Sequence, residues 1–381
     1  MANDTSSKDS VSRRALVRSA VLVPFTAVRG SAANDAVKVG LIGSGGRGTF
    51  DAGLLVKDPR AKLVALCDIF DDRLDKAAKA IPAPDAKRYK NMGDLLASDV
   101  DAVIIATPVF LHPEHFEAAI KAGKHIYIEK PAGLDVAGCK RVMAAADSAD
   151  RKINIQFGFQ QRYGKVYLAA KKALDSGALG QIRMAHAHWI KGAIPAGEIS
   201  VPPPPANYEE KIRQWPVWRD TFGDIIVETY CHGIDVLNWF LNGHPDTAYG
   251  TGGRTLEKRG DISDQVNVTF KYPSGVQAVL TGAQLTAPFY RSVNEQFFCA
   301  NGTVETAREY WTHYRGRNDT VTEKSPREIT IDALEHFIDN IKNGTPENAG
   351  VRAAETTLTA IMGRMAIDQK REITWAELMR S

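Results

Sequence analysis

The residues best suited to do chemistry are a lysine and a glycine-rich loop that precedes it in the chain. Lys130 follows a β-branched run that starts at His125 and ends at Glu129, and Pro131 comes directly after it. The loop reads Gly43-Ser44-Gly45-Gly46-Arg47-Gly48. A lysine at the carboxyl end of a parallel strand faces the crevice in which an open α/β sheet binds its ligand. An ammonium group and a nucleotide site in one cleft suggest an enzyme that transfers a hydride.

The glycine loop matches the G-x-G-x-x-G pattern of dinucleotide sites. Gly43 permits a tight turn, Gly45 lets the backbone approach a pyrophosphate, and Gly48 allows close packing of helix and strand. The helix that follows presents free N–H groups to the phosphates. Asp68, at the end of the second predicted strand, can bond ribose hydroxyls and would repel a 2′-phosphate. We therefore predict NAD as the cofactor, with NADP less favoured, although Asp68 alone could be a helix cap.

Strands and helices alternate after residue 37, and this order must position the loop and the lysine. Predicted strands cover 37–42, 63–67, 102–106 and 125–129, and predicted helices cover 49–56, 71–80 and 112–122. Short apolar runs of this kind are typical of strands buried on both faces. The order predicts a parallel, doubly wound sheet. Thr107 and Pro108 would then line the cleft near the nicotinamide, whereas His112 either points into the site or lies on the surface. His115 is expected to be solvated.

The length and composition indicate a two-domain globular protein. The chain has 381 residues, of which 44% are hydrophobic and 24% charged. We predict a nucleotide-binding domain over residues 37–155 and a second domain over residues 156–381. The four cysteines are widely spaced, which favours buried thiols over a disulfide framework or a zinc site.

The first 33 residues differ in kind from the rest. Arg13 and Arg14 precede a short apolar stretch and a small-residue end, which is the pattern of a twin-arginine export signal. We therefore expect a periplasmic or otherwise exported protein, or a cytoplasmic one if this leader is only a disordered basic tail. Removing the leader takes away five positive and two negative groups, which leaves no net charge from the original +3. Neither nucleic acid nor a membrane is expected as a partner, so a small-molecule substrate is favoured.

Taken together in their order, these motifs resemble the Gfo/Idh/MocA family of oxidoreductases. Further matching segments are Ala106-Thr107-Pro108 with His112, Glu129-Lys130-Pro131, Gly158-Phe159-Gln160-Gln161-Arg162-Tyr163, residues 228–239, Asn301-Gly302-Thr303 and Ile373-Thr374-Trp375. The resemblance covers residues 37–381. It implies a Rossmann domain followed by an α/β domain with an open, mainly antiparallel sheet. It also implies activity on sugars, cyclitols or their derivatives, and a homodimer or tetramer.

The resemblance assigns catalysis to Lys130, Glu228 and His232. The amine of Lys130 would relay the proton of a substrate hydroxyl, provided that nearby positive charge or burial lowers its pKa. Glu228 and His232 are four residues apart and would share one face of a helix, so that the carboxylate orients the imidazole. His232 is then expected to be the principal proton-transfer partner of Lys130. Asp235 could hold the histidine or cap and pair within the helix.

Other residues are candidates for binding the substrate or the cofactor. The same resemblance places Arg162 and Tyr163 with the substrate and Glu129 with the cofactor. A proline-rich insertion over residues 191–214 precedes Trp215 and Trp218, and either indole could stack on a pyranose ring or simply anchor the loop. His186 and His188 share one face of a predicted strand, but no third ligand is apparent, so we predict no metal site.

Three classes of function fit these features. The first is an exported NAD-dependent oxidoreductase that moves a hydride between nicotinamide and a hydroxyl-bearing carbon. The second is a redox-neutral glycosidase or epimerase-type enzyme that oxidises its substrate transiently with a tightly bound cofactor. The third is a sugar or nucleotide sensor without catalysis. The presence of Lys130 favours the first class.

Overall fold

The computed structural model describes residues 35–192, 202–255, 260–286 and 290–381. Within it, Val37–Ser381 pack as one compact unit. The predicted leader over residues 1–33 lies outside the described residues, as do residues 193–201 of the proline-rich insertion. None of the described helices is both long and apolar enough to span a bilayer.

Six of the described strands form a parallel sheet in the order β3-β2-β1-β4-β5-β6. They are β1 (Val37–Ile42), β2 (Ala61–Cys67), β3 (Lys87–Tyr89), β4 (Ala102–Ile105), β5 (His125–Ile128) and β6 (Ile155–Phe157). In β4 and β5 nearly every residue is buried, because helices cover both faces of the sheet. The strand order reverses between β1 and β4, and that switch point is where an open α/β sheet binds its ligand. The predicted doubly wound parallel sheet is confirmed.

Helices connect these strands. They are α1 (Gly46–Leu55), α2 (Asp71–Ala80), α3 (Met92–Leu96), α4 (His112–Lys121) and α5 (Val136–Ser148). Local chemistry explains where several of them begin. The side chain of Asn91 accepts a hydrogen bond from Gly93 N at the start of α3, and Asp135 does the same for Gly138 N in α5. Pro113 stands in the first turn of α4, where a missing N–H costs little.

Nine further described strands form a second, mainly antiparallel sheet in the order β14-β13-β12-β11-β7-β10-β9-β8-β15. They are β7 (Ile182–Gly192), β8 (Thr247–Gly253), β9 (Gln265–Lys271), β10 (Gln277–Thr286), β11 (Arg291–Cys299), β12 (Gly302–Ala307), β13 (Tyr310–Gly316), β14 (Asp319–Lys324) and β15 (Ile373–Thr374). Only the pairing of β7 with β10 is parallel among those described. Burial alternates along β9, as expected when one face of a sheet is packed and the other is not. The predicted second domain architecture is confirmed.

The remaining helices pack around the second sheet and back onto the first. They are α6 (Lys165–Asp175), α7 (Tyr208–Arg213), α8 (Arg219–Phe222), α9 (Ile225–Glu228), α10 (Cys231–Phe240), α11 (Ile329–Asn343), α12 (Gly350–Gln369) and α13 (Trp375–Leu378). Cys67, Cys139 and Cys231 are buried free thiols, and Cys299 is partly buried. The predicted burial of the cysteines thus holds for three of the four.

Helix α11, near the carboxyl end of the chain, completes the core of the first sheet. Its Leu334, Phe337 and Ile338 belong to the same buried cluster as Val39 and Leu41 of β1. The ring of Phe337 also meets Tyr127 of β5 edge-on, with 5.9 Å between the centroids. A strand-like bridge joins Ile155 to Asn348. The predicted domain boundary at residue 155 therefore stays a prediction, since later residues pack tightly against earlier ones.

Candidate active site

The glycine loop lies between β1 and α1 and has no room for side chains at two positions. Gly43 has a φ of 91°, and a Cβ there would lie 2.6 Å from the carbonyl oxygen of Ala106. A Cβ on Gly48 would lie 2.1 Å from the oxygen of Gly43. Helix α1 begins at Gly46 with no side-chain cap. Its first N–H groups are thus available to an anion such as a pyrophosphate.

Asp68 follows β2 and is held beside this loop. Its carboxylate accepts hydrogen bonds from Ser44 N and Phe70 N, both at 3.0 Å. The hydroxyl of Ser44 donates to Cys67 O, which ties the loop to the second strand. Asp68 lines a cavity of about 310 Å³ that also includes Asn91 and Met92. The buried carboxylate at this strand end fits the ribose of NAD, as the sequence predicts.

Three cavities meet around the end of β4 and form one cleft. A cavity of about 510 Å³ runs along the glycine loop, and it shares Ala106 and Pro108 with the cavity beside Asp68. A third, of about 330 Å³, shares Ala106 and Thr107 with the Asp68 cavity. Besides these, the third cavity is lined by Arg47, Val109, His112, Glu129, Lys130, Gln160, Trp189, Trp215, Glu228, His232, Arg291 and Arg308. The predicted nucleotide loop and the predicted catalytic residues therefore share a cleft.

Lys130 is paired with Glu228. Its Nζ donates to the backbone oxygen of Glu228 and to Oε1 of the same residue, the latter at 2.5 Å. Burial lowers the pKa of Lys130, but Glu228, Cys231 and Glu129 together outweigh it, so the pKa is raised from its ordinary value. Burial likewise opposes the charge of Glu228, yet Lys130 and a hydrogen bond from Thr229 lower its pKa. The predicted lowering of the Lys130 pKa is wrong for this arrangement because the sequence did not reveal this contact.

His232 is oriented by aromatic rings and not by Glu228. Helix α9 ends at Glu228 and α10 begins at Cys231, so Glu228 and His232 do not share one helix face. The imidazole stacks on Trp189 with 5.3 Å between centroids and an angle of 9°, and Phe159 meets it edge-on. The predicted orientation of the histidine by Glu228 is wrong, because the chain turns between the two helices.

The imidazole of His232 is buried and neutral. Its Nδ1 makes no hydrogen bond within the described part of the chain. Burial, followed by the positive charge of Lys130, lowers its pKa well below the ordinary value. Lys130 bonds to Glu228, and the expectation that His232 is its principal proton-transfer partner stays a prediction. His232 remains beside the same cavity, where a substrate hydroxyl can meet it.

Arg162 and Tyr163 do not line the described cavities, and their role in binding substrate stays a prediction. Arg162 Nε lies 2.8 Å from Oδ2 of the buried Asp235, so this carboxylate pairs with the arginine and does not hold His232. Tyr163 donates to Glu347 Oε1 at 2.7 Å. The polar atoms of both side chains thus form pairs in the interior. A short sequence motif does not show such pairing. Gln160, from the same segment, instead lines the catalytic cavity and donates to Glu129.

An ion pair connects the glycine loop to the strand end that carries Lys130. Arg47 Nε donates to Glu129 Oε1 at 3.0 Å, and its Nη2 lies 3.0 Å from Asp51. Glu129 is buried, and its backbone continues directly into Lys130. Both Arg47 and Glu129 border the cleft as predicted cofactor residues, but their side chains bond to each other. The pair therefore fixes the spacing between the loop and the lysine.

Two histidines of α4 support the same strand ends. The buried ring of His112 lies between two carbonyl oxygens, with Nδ1 2.6 Å from Pro131 O and Nε2 2.9 Å from Thr107 O. The structure thus places His112 at the site. His115, expected to be solvated, is partly buried, its Nδ1 is 3.0 Å from Thr107 Oγ1, and burial lowers its pKa to about 4. The expectation for His115 is wrong because the 107–111 turn covers it.

A segment that we name the strap, residues 208–217, lies along the cleft. Ile212 packs in a small apolar cluster with Phe70 and Leu111. Arg213 Nη2 lies 2.7 Å from Oδ1 of Asp72. The guanidinium carbon of Arg213 lies 3.7 Å from the centre of the Phe70 ring. Tyr208 and Ile212 line the cavity of Asp68, whereas Arg213 borders the glycine-loop cavity. The strap therefore covers the predicted dinucleotide site along its length.

Of the two tryptophans after the insertion, one lies at the site. Trp215, in the strap, lines both the glycine-loop cavity and the catalytic cavity. Trp218 donates through Nε1 to Gln214 Oε1 at 3.0 Å and does not line the described cavities, which agrees with the anchoring alternative; its role in binding substrate stays a prediction. Motif analysis missed Trp189, Arg291 and Arg308, because their strands carry no local signature of a site.

Comparisons with known proteins agree with this architecture. The family model described as "Oxidoreductase family, NAD-binding Rossmann fold" matches residues 37–157. The model described as "GFO/IDH/MocA C-terminal domain" matches residues 167–306. Two models of one family thus match the first sheet and most of the second sheet.

Several relatives are inositol dehydrogenases. An inositol 2-dehydrogenase of Klebsiella pneumoniae (strain 342) is 33% identical over 211 residues, which is 54% of this chain and 55% of that protein. The chain thus matches little more than half the length of this curated relative. A myo-inositol 2-dehydrogenase of Thermotoga maritima is 25% identical over 357 residues, covering 90% of this chain and 100% of that protein.

Solved structures share the fold. A myo-inositol 2-dehydrogenase from Lactobacillus plantarum is 22% identical, with a TM-score of 0.73 over 89% of this chain and 99% of that one. A levoglucosan dehydrogenase in complex with NADH and levoglucosan is 17% identical, with a TM-score of 0.75 and the same coverage. At these identities the likeness supports the arrangement of the two sheets.

Proposed function

Since the chain belongs to the Gfo/Idh/MocA family of NAD-binding oxidoreductases, we propose that it oxidises a hydroxyl-bearing carbon of a sugar, cyclitol or derivative. The observation that carries the proposal is the Lys130–Glu228 pair in a cavity that adjoins the glycine loop. The inositol and levoglucosan dehydrogenases among its relatives support the class of substrate. Bound NAD would supply a ring that accepts the hydride.

The residues of the cavity have different roles in this oxidation. Oxidation of an alcohol to a carbonyl releases one hydride from carbon and one proton from oxygen. The amine of Lys130, once it has lost its own proton, takes up the proton of the hydroxyl, and the carboxylate of Glu228 in hydrogen-bond contact with it orients the amine. His232, which is neutral, holds the substrate hydroxyl through a hydrogen bond. The rings of Trp189 and Trp215 give the polyol an apolar wall.

The test is NADH formation by the purified protein with NAD and a panel of inositols and hexoses. Replacing Lys130 by alanine removes the amine, and we expect kcat to fall by about 10²- to 10⁴-fold. Lys121→Ala is the matched control, since this lysine is exposed on α4, away from the described cavities. Undiminished NADH formation by the Lys130 variant would exclude this mechanism. The redox-neutral alternative, which no described feature favours, predicts release of an aglycone without accumulation of NADH.

We also propose that the protein is exported and forms a homo-oligomer. Arg13 and Arg14 support export, and the exposed Met184, Tyr249 and Tyr314 on the open sheet support association. Changing both arginines to lysine should keep the protein in the cytoplasm, as measured by cell fractionation. Light scattering should give a mass at least twice that of one chain. Export without the arginine pair, or a monomeric mass, would contradict the corresponding proposal.

A further inference from the structure

The catalytic cavity has an excess of positive charge. Among the residues that the structure describes, four cationic side chains and two carboxylates line it. The cations are Arg47, Lys130, Arg291 and Arg308, and the carboxylates are Glu129 and Glu228. A cleft whose charge has one sign raises the local concentration of ligands of the other sign. The cavity is therefore unlike one built for a neutral polyol alone.

The partners of these cations show where the excess lies. Arg47 is paired with Glu129, and Lys130 with Glu228. Arg308 bonds to Glu328, its Nη2 lying 2.5 Å from Oε1. Arg291, by contrast, is exposed and has no counterion in the described ranges of the chain. The uncompensated charge thus lies at the start of β11.

The strand next to β11 adds a second cation at this point. Arg291 stands directly opposite Lys191 in the antiparallel pairing of β11 with β7. Like charges at opposite positions of a strand pair disfavour each other. Nζ of Lys191 lies 5.9 Å from the centre of the Trp189 ring, which itself lines the cavity. Lys191 and Arg291 thus place two cationic side chains at the same end of this strand pair.

The effect of this charge reaches the catalytic histidine. Burial lowers the pKa of His232 most, and the positive charges of Lys130, Arg308, Arg47 and Lys191 lower it further. These cations come from the glycine loop and from three strands or strand ends, so the field is a property of the whole cavity.

We propose that the substrate carries an anionic group, a carboxylate or a phosphate on a polyhydroxylated ring, and that Arg291 binds it. The proposal deepens the proposed function, because Lys130 would act on a hydroxyl of the same ring. A guanidinium can bond a carboxylate or phosphate with two parallel N–H donors, which makes Arg291 the specificity-determining residue. Lys191 and Arg308 strengthen the attraction without needing direct contact.

Paired substrates test this directly. NADH formation is compared for glucuronate against glucose, galacturonate against galactose, and glucose 6-phosphate against glucose. We expect kcat/KM for at least one acid to exceed that of its neutral partner by about tenfold or more. A preference for the uronates identifies a carboxylate as the group bound, and a preference for the phosphate ester identifies a phosphate. The preference should weaken as salt is added, because screening acts on exposed charges.

Variants of Arg291 test whether this residue is responsible for the preference for acidic substrates. Arg291→Met should bring the acid-to-neutral ratio close to one, and Arg291→Lys should retain part of it because the charge remains. Arg183→Met is the matched control, since Arg183 is exposed on β7 outside the described cavities and should leave the ratio unchanged.

Binding provides a readout that does not depend on turnover. Glucuronate should quench the tryptophan fluorescence of the NAD-loaded protein at lower concentration than glucose, because Trp189 and Trp215 line the cavity. Equal affinities, or a difference that survives in Arg291→Met, would overturn the anion site. If neutral polyols are oxidised as fast as acids, this inference fails and the proposed function stands. If acids bind but nothing is oxidised, the proposed function fails and the anion site stands.

Discussion

The two ends of the cleft differ in whether backbone or side-chain atoms line them. At the dinucleotide end, the glycine loop and the strand ends offer mainly backbone, with no space for a Cβ at Gly43 or Gly48. At the substrate end, long side chains from many elements converge, among them Lys130, Trp215 and Arg291. A site built mainly from backbone depends less on the identity of single side chains. A side-chain site can change its ligand by single substitutions, so the substrate end is where members of one fold can diverge.

The largest effect on the binding of the cofactor is expected at the backbone end. In Gly48→Ala the new methyl would meet the oxygen of Gly43, so the loop must shift away from the pyrophosphate. We expect the affinity for NAD, measured by titration calorimetry, to fall about a hundredfold.

The matched control for that change is Gly53→Ala in the same helix. A Cβ on Gly53 would meet nothing within 4 Å, and alanine favours a helix more than glycine does. This variant should bind NAD normally and unfold at a slightly higher temperature. Equal losses of NAD affinity in both variants would show that the close approach at Gly48 does not matter.

A smaller effect is expected when one side chain at the other end is exchanged. In Glu228→Gln the carboxylate that raises the pKa of Lys130 is lost, while the burial that lowers it remains. The pKa of Lys130 therefore falls. In the direction of oxidation, kcat/KM rises with pH as the proton acceptor loses its own proton. In the variant this rising limb of the pH profile should move to lower pH. We also expect kcat to fall about tenfold.

Glu228→Asp is the control, because it keeps the charge on a shorter arm and should leave the limb nearer its original position. An unmoved limb in Glu228→Gln would mean that Lys130 is not the group that titrates.

The smallest effect concerns the strap, which covers the backbone end with side chains. Arg213→Ala removes both the ion pair with Asp72 and the cation over Phe70. We expect NADH to dissociate about threefold faster in stopped-flow measurements. Arg88→Ala is the control, because Arg88 forms an ion pair of the same length with Asp75, is similarly exposed, and does not line the described cavities. If NADH dissociated equally fast from the two variants, the strap would have no role in retaining the coenzyme.

The contrast between the two ends also explains what the sequence could predict. The glycine spacing, Asp68 and the alternation of strands and helices are local in the chain, and the structure agrees with all of them. Lys130 was placed correctly because a strand end fixes where it points. These features depend on backbone geometry, which a short stretch of sequence determines.

Pairs that form across the fold were not predictable in the same way. Arg162 and Tyr163 belong to a recognisable motif, yet Asp235 and Glu347, far away in sequence, determine what they bond. In the turn between Glu228 and His232, the ring of Tyr230 occupies the space that a side chain at the distant Gly282 would need. Arg291 likewise lines the cavity through the pairing of β11 with β7, which a short stretch of sequence does not show.

Helix α11 has a consequence for how the protein is made. The strands of the first sheet are complete once residue 157 is translated, but Phe337 and Ile338 must still be synthesised before its core is closed. At about 5 to 20 residues per second, the ribosome needs roughly 10 to 40 s for that interval. During this time the nascent chain carries an open apolar surface, so the cleft matures only when translation is nearly finished. Any factor that handles the emerging protein would meet this unfinished first half.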